Sequence, residues 1–200
     1  YIAGYEGEIL NDISSNNLYQ RHIPLSYKQG CSIDAARFVM ITAAFEWEFN
    51  RTYPNGVPKK ASTIEAENTA TIEIEKLINS SSRKLKKIYR YLKKQIKNDS
   101  LQSEIERVGK DYADIIDMFG NHLYQINNET LKYSEMGERL SAQRNHFAHG
   151  DLDKDFIGNS LLDLIFLEYV IYTIQLKQYG IPDDNIKKII NDLFCCYIDL

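Results

Sequence analysis

From residue 32 onward, apolar side chains recur along this chain every three or four positions. Ala35, Phe38, Val39, Thr42, Phe45, Glu46 and Phe49 lie along one face of a predicted helix that starts at Ser32, a residue suited to an N-cap. The turn signal Tyr53-Pro54-Asn55-Gly56 ends it. A second helix is predicted over 62–77. The serines at 80–82 separate it from a third over 82–97, where Leu85, Ile88, Tyr89, Leu92 and Ile96 make one stripe. A fourth is predicted over 101–126, with Ile105, Val108, Tyr112, Ile115, Ile116 and Phe119 facing inward. A fifth runs from residue 134 into the segment 141–150, where Gly150 supplies a stop. A sixth covers 159–179. Gly180-Ile181-Pro182 then breaks the chain, and Pro182 opens a seventh helix at its first turn.

No alternation of β-branched residues competes with this pattern, so the class is all-α, a helical bundle. Residues 1–30 carry no comparable period. Gly4, Gly7, the Ser-Ser-Asn-Asn cluster at 14–17, Pro24 and Gly30 predict irregular chain. The expected division is an N-terminal segment over 1–31, irregular or the remnant of an upstream domain, and a helical domain over 32–200. Residue 1 is Tyr rather than Met, which reads as a piece of a longer chain.

Composition narrows the function classes. The 200 residues are 44% hydrophobic and 26% charged, ordinary for a globular protein with a sizeable core. The formal net charge is −4, so any footprint for nucleic acid must be local. The three cysteines, Cys31, Cys195 and Cys196, are odd in number and sparse. They argue against a disulfide framework and for a reducing, cytoplasmic setting. The most apolar run, 161–176, is too short to span a bilayer and contains Asp163 and Glu168, so a buried core helix is expected and no membrane partner.

The chemistry concentrates in 141–150. Arg144, Asn145 and His149 fall within six residues at the end of the fifth helix. A histidine moves protons near neutral pH, and an arginine holds phosphate with a planar fork of donors. On an ideal helix five positions amount to roughly 140° between side chains, so Arg144 and His149 meet only if the helix ends before His149. His146 and His149 are three apart, but His22 and His122 are distant in sequence and no cysteine is near. No metal site and no cofactor are expected.

The pattern R-N-x-x-x-H resembles the ribonuclease motif of the HEPN superfamily. Leu140 before it, Phe147-Ala148 inside it and Gly150-Asp151 after it strengthen the likeness. Ala43-Ala44-Phe45-Glu46-Trp47-Glu48-Phe49 resembles the aromatic and acidic helix that many HEPN domains pack beside the motif, and the order of the chain is similar to the ApeA-like group, in which a β-rich domain precedes the helical one. The resemblance covers roughly 32–180. It implies a HEPN-like bundle and a metal-independent endoribonuclease of a defence or toxin-type protein, with RNA as partner. Arg144 would neutralise the scissile phosphate, His149 would act as acid or base, Asn145 would orient one of them, and Glu46 would face the site, with Glu48 as second choice. It also implies a homodimer that brings the ends of the two fifth helices together, and an upstream domain or an antitoxin as possible partners. Apolar excess on the last two helices, 161–176 and 186–197, points to a dimer as well. The alternative is a non-catalytic module for dimerisation, nucleotide or partner binding.

The third helix carries Arg83, Lys84, Lys86, Lys87, Arg90, Lys93, Lys94 and Lys97 opposite its stripe. Lys86, Lys87, Arg90 and Lys94 are the expected RNA contacts. A solvated helix face is the plain alternative.

Overall fold

The computed structural model describes residues 1–26, 30, 32–96, 98–148 and 156–200. Among them are nine α-helices and no strand: α1 Glu6–Ser14, α2 Ala35–Thr52, α3 Ala61–Ser80, α4 Arg83–Gln95, α5 Leu101–Asp111, α6 Ala113–Ile126, α7 Tyr133–Ala148, α8 Ser160–Gln178 and α9 Asp183–Leu193. The protein is all-α. Its contacts divide it into two units, one of residues 1–54 and 101–200, the other of residues 55–100.

In the larger unit α8 is the axis. It buries Leu164, Phe166, Tyr169 and Val170, which point around most of its circumference. A helix apolar on nearly all sides belongs at the centre of a bundle. α2, α6, α7 and α9 all pack on it. α2 contributes Phe38, Ile41, Phe45 and Phe49, and α6 contributes Ile115, Ile116 and Phe119. The 161–176 run is therefore core, as its interruption by acids predicts. No helix among the described residues is long and apolar enough to cross a membrane. The acids inside that run are held by arginines. Asp163, fully buried, accepts from Arg139 Nε at 2.7 Å and Nη2 at 2.8 Å and from the Tyr124 hydroxyl. Burial pushes the Asp163 carboxyl above the usual carboxylate range, although Arg139 and Tyr124 pull the other way. Glu168 pairs with Arg37 of α2 at 3.1 Å. Removing one partner of a buried pair costs about 3–5 kcal/mol, so these two bridges fix α7 and α2 against α8.

α7 also packs closely on α5. A Cβ at Gly137 would sit 2.5 Å from the Gln102 Cα, backbone that cannot yield. Only glycine permits that approach. At the end of α8, Gly180 takes φ +72° and turns the chain into α9. Pro182 stands at the N-cap of α9 rather than inside its first turn.

Three elements differ from the sequence reading. First, residues 6–14 form α1 where irregular chain is expected. Asp12 explains its place: it accepts from Arg51 at 2.9 Å and from the Tyr179 hydroxyl at 3.0 Å, so the segment is tied down by tertiary bonds rather than by its own periodicity. Second, α2 starts at Ala35, with Asp34 as its cap accepting from Arg37 N at 2.8 Å, not at Ser32. Third, the predicted helix over 101–126 is two helices. Tyr112 leaves helical geometry (φ −115°, ψ 14°), and its carbonyl begins α6 by accepting from Ile115 and Ile116. No proline or glycine stands at residue 112, so the apolar period runs through the break unmarked.

The smaller unit is an antiparallel hairpin of α3 and α4 joined by Ser81 and Ser82. Lys59 ties its base by bonding Glu67 at 2.9 Å and Asp99 at 3.4 Å. No residue described in α3 or α4 is fully buried.

Candidate functional site

α7 presents an inward stripe of Met136, Leu140, Gln143 and Phe147, spaced four, three and four, all buried. The spacing is that of a helix face against a core. Gln143 is the polar member of the stripe. Its Oε1 accepts from Ile157 N at 2.6 Å and from the Ser160 hydroxyl at 3.2 Å. It therefore clamps the start of α8 onto the end of α7. The next member, Phe147, meets Phe38 edge-on at 5.3 Å and Phe156 at 5.7 Å. The chain is thus fastened to one aromatic cluster at Phe147 and again at Phe156. The sequence reading passes over Gln143 because its polarity hides it. The register Met136, Leu140, Phe147 is the signal that could have found it.

Arg144 follows Gln143 by about 100° and so stands at the edge of the buried stripe. Its Nη1 donates to Glu46 Oε1 of α2. Both side chains remain about one-third exposed, 37% for Arg144 and 32% for Glu46. Two candidates far apart in the sequence are brought together at the surface where α7 ends against α2. A guanidinium carries five N–H donors in a fixed fork. The bond to Glu46 engages one end of that fork and orients the rest.

Asn145 lies a further 100° round the helix and is exposed. Among the described residues no hydrogen bond joins it to Arg144 or Glu46. His149, the proposed proton carrier, and Gly150, the expected stop, lie outside the described residues. Glu48, the second choice beside Glu46, is not at this site. It is fully buried on the other side of α2, where it accepts from Gln175 Nε2 at 2.9 Å and from Tyr19 N at 3.3 Å. Two positions along a helix separate side chains by about 200°, which is why only one of the two acids reaches Arg144.

The remaining exposed face of α2 beside Glu46 carries Val39, Met40 and Trp47. The apolar excess expected on the last two helices is instead mostly consumed by the core. Leu161, Leu193 and Tyr197 are what stays exposed there.

His22 is another titratable group that the sequence reading leaves unused. It is buried among Tyr19, Tyr172 and Arg37, and among the described residues neither ring nitrogen has a hydrogen-bond partner. Burial, with the Arg37 charge nearby, lowers its pKa to about 4. It is therefore neutral at pH 7.

The basic helix α4 lies in the smaller unit. Lys87, Arg90 and Lys94 are exposed, and Lys86 is half-buried. Arg90 and Lys94 line a groove of about 640 Å³ with Glu75, Ile78, Asn79 and Lys93, and Lys93 pairs with Glu75. The stripe of Leu85, Ile88 and Leu92 stays largely exposed instead of facing a core. Of the two tyrosines, Tyr91 is open to solvent and Tyr89 is half-buried.

Among the described residues no group of three or more His, Cys, Asp or Glu side chains is arranged to hold a metal ion. Compared with known proteins, the chain matches no family model, no curated protein and no solved structure.

Proposed function

We propose that this chain is a HEPN-like domain acting as a metal-independent endoribonuclease. The observation that carries the reading is the Arg144–Glu46 pair at the end of α7. The resemblance implies an arginine at the end of one helix and, on a helix packed beside it, a Glu that faces the site, and this pair is consistent with that arrangement. In the reaction the RNA 2′-hydroxyl attacks the adjacent phosphorus while the P–O5′ bond breaks. His149 takes the hydroxyl proton or gives one to the departing O5′, and a second acid–base group serves the other end. The products are a 2′,3′-cyclic phosphate and a 5′-hydroxyl.

Arg144 meets the charge that builds on the phosphate oxygens. A preorganised donor at developing charge is worth about 10²- to 10³-fold in rate. Glu46 holds the guanidinium so that it need not reorganise when the phosphate arrives. Asn145, exposed at the same helix end, orients the phosphate or the imidazole. Two copies pair with their α7 ends together, and the second copy supplies the other acid–base group. Lys86, Lys87, Arg90 and Lys94 of α4 hold RNA phosphates by charge. A role in defence or as a toxin, restrained by an antitoxin or governed by an upstream domain, fits such an activity.

The test uses purified protein with excess EDTA and a labelled RNA. Cleavage is expected to continue in EDTA. It should leave 2′,3′-cyclic phosphate ends and fail at positions carrying 2′-deoxyribose. Products with 3′-hydroxyl ends, or cleavage of the deoxy strand, would reject the mechanism.

A further inference from the structure

The chain has a single tryptophan, Trp47, and it is 50% exposed. Tryptophan is the largest side chain and is usually mostly buried. Here it belongs to α2 and directly follows Glu46, so the two Cα atoms are about 3.8 Å apart. Tyr19 braces the indole from one side, with ring centroids 6.2 Å apart and the planes tilted by 47°. Tyr19 is itself fixed, because its backbone N–H donates to Glu48 Oε1 at 3.3 Å. The indole is thus a supported, partly open aromatic surface.

That surface lines a depression of about 460 Å³ with Asn17, Asn50 and Arg51. The walls are polar but largely committed. Arg51 is bound to Asp12 at 2.9 Å and to the Asn17 carbonyl at 3.1 Å, so its charge is neutralised within the fold. Asn50 Nδ2 donates to the Glu46 carbonyl at 2.7 Å, and Asn17 Nδ2 donates to Asp12 Oδ1 at 3.3 Å. Each amide keeps its carbonyl oxygen as an acceptor. An aromatic floor with amide acceptors and a neutralised arginine suits a flat, neutral heterocycle with N–H donors on its edge. It does not suit a phosphate.

We propose that Trp47 is a stacking platform for a nucleobase of the RNA, placed beside the Arg144 phosphate position. The inference rests on the ribonuclease reading and deepens it by naming a base subsite. Glu46 holds Arg144, and Asn50, one helical turn on along the same face of α2, lines the depression with Trp47, so a strand whose phosphate meets Arg144 would bring a neighbouring base over the indole. Stacking on an aromatic side chain tolerates any base, so the subsite fixes the strand's position rather than its sequence.

The sole tryptophan is also the reporter. The probe is a hexanucleotide of 2′-O-methyl RNA, which the proposed reaction cannot cleave. Titration into the wild-type chain is expected to quench Trp47 emission saturably, with the same midpoint as the anisotropy of a labelled copy of the probe. Trp47→Ala should weaken the anisotropy affinity about tenfold, within the range for removing the platform under one stacked base, while Trp47→Phe retains most of it. Far-UV circular dichroism checks that both variants are folded. Binding and RNA cleavage by the wild type with unchanged Trp47 emission and equal affinity in Trp47→Ala would overturn the stacking proposal alone. Absence of both binding and cleavage in the wild type would overturn the ribonuclease reading with it. A shift of Trp47 emission with protein concentration, and no further change on adding the probe, would give the depression to a second copy of the chain and overturn the proposal.

Discussion

Arg144 on α7 and Glu46 on α2, 98 residues apart in sequence, form a hydrogen-bonded ion pair in which both side chains stay about one-third exposed. An exposed pair of this kind contributes only about 0–1 kcal/mol to stability. Removing either partner is therefore expected to cost the fold little.

Arg144→Ala is expected to reduce RNA cleavage by about 10²- to 10³-fold. Glu46→Gln, which keeps shape but removes charge, should cost about tenfold, because Arg144 remains but is less firmly held. Neither should move the melting temperature by more than about 2–4 °C, the shift that goes with 1 kcal/mol in a chain of this size. Cleavage rates and thermal melts on the same preparations check this. Loss of activity that tracks loss of fold would assign the pair to structure.

Gln143 should behave in the opposite way. Gln143→Ala removes the acceptor for Ile157 N and for the Ser160 hydroxyl at a buried site. Leaving such donors unmet costs about 1–3 kcal/mol. A fall in the urea midpoint at unchanged m-value is the expected result. Gln143→Glu, which keeps an acceptor oxygen, should show whether that oxygen or the amide as a whole matters. An unchanged midpoint in Gln143→Ala would show that the clamp on α8 is not needed.

Acid should weaken the fold through His22. Its folded pKa is depressed from 6.5 to about 4, so between those values the unfolded chain binds a proton that the folded chain does not. Stability is then fully present above pH 6.5 and is lost as pH falls toward 4, by up to about 1.4 kcal/mol per pH unit. Urea unfolding at pH 7 and pH 5 measures it, with His22→Phe as the control. The variant should lose less stability than the wild type over that interval. Equal losses would mean that carboxylates alone set the acid limit.

The helix α4 makes a separate prediction. Replacing Lys86, Lys87, Arg90 and Lys94 with Ala should weaken RNA binding. On single-stranded RNA it should also make the log–log salt slope shallower, by up to about 0.7 for each phosphate that the variant no longer neutralises. Cleavage at saturating RNA should persist. A slope that does not change would make the basic run a solvated face.

Much of the fold was legible in the apolar period. Ile105, Val108, Ile115, Ile116 and Phe119 face inward as their spacing predicts. The period could not see the break at Tyr112 or the helix α1, because both depend on contacts with distant residues such as Asp12 with Tyr179. Nor could it tell that the stripe of Leu85, Ile88 and Leu92 stays exposed, since a stripe says which face is apolar and not what covers it. In the site, the motif residues were visible as local spacing. That Glu46 would face the site was legible only through resemblance, and its pairing with Arg144 was not legible at all, because nothing local links α2 to α7. Gln143 was missed because a glutamine in a core register looks like a surface residue until its partners are known.

The central claim is that the segment after α7 carries proton-transfer chemistry on RNA. The most direct measurement is the rate of RNA cleavage in excess EDTA by the wild type and by His149→Ala, each purified free of contaminating nuclease and shown to be folded. The account predicts cleavage by the wild type and a loss of about 10²- to 10⁴-fold in the variant. Equal rates in the two proteins, or no cleavage by either, would contradict it.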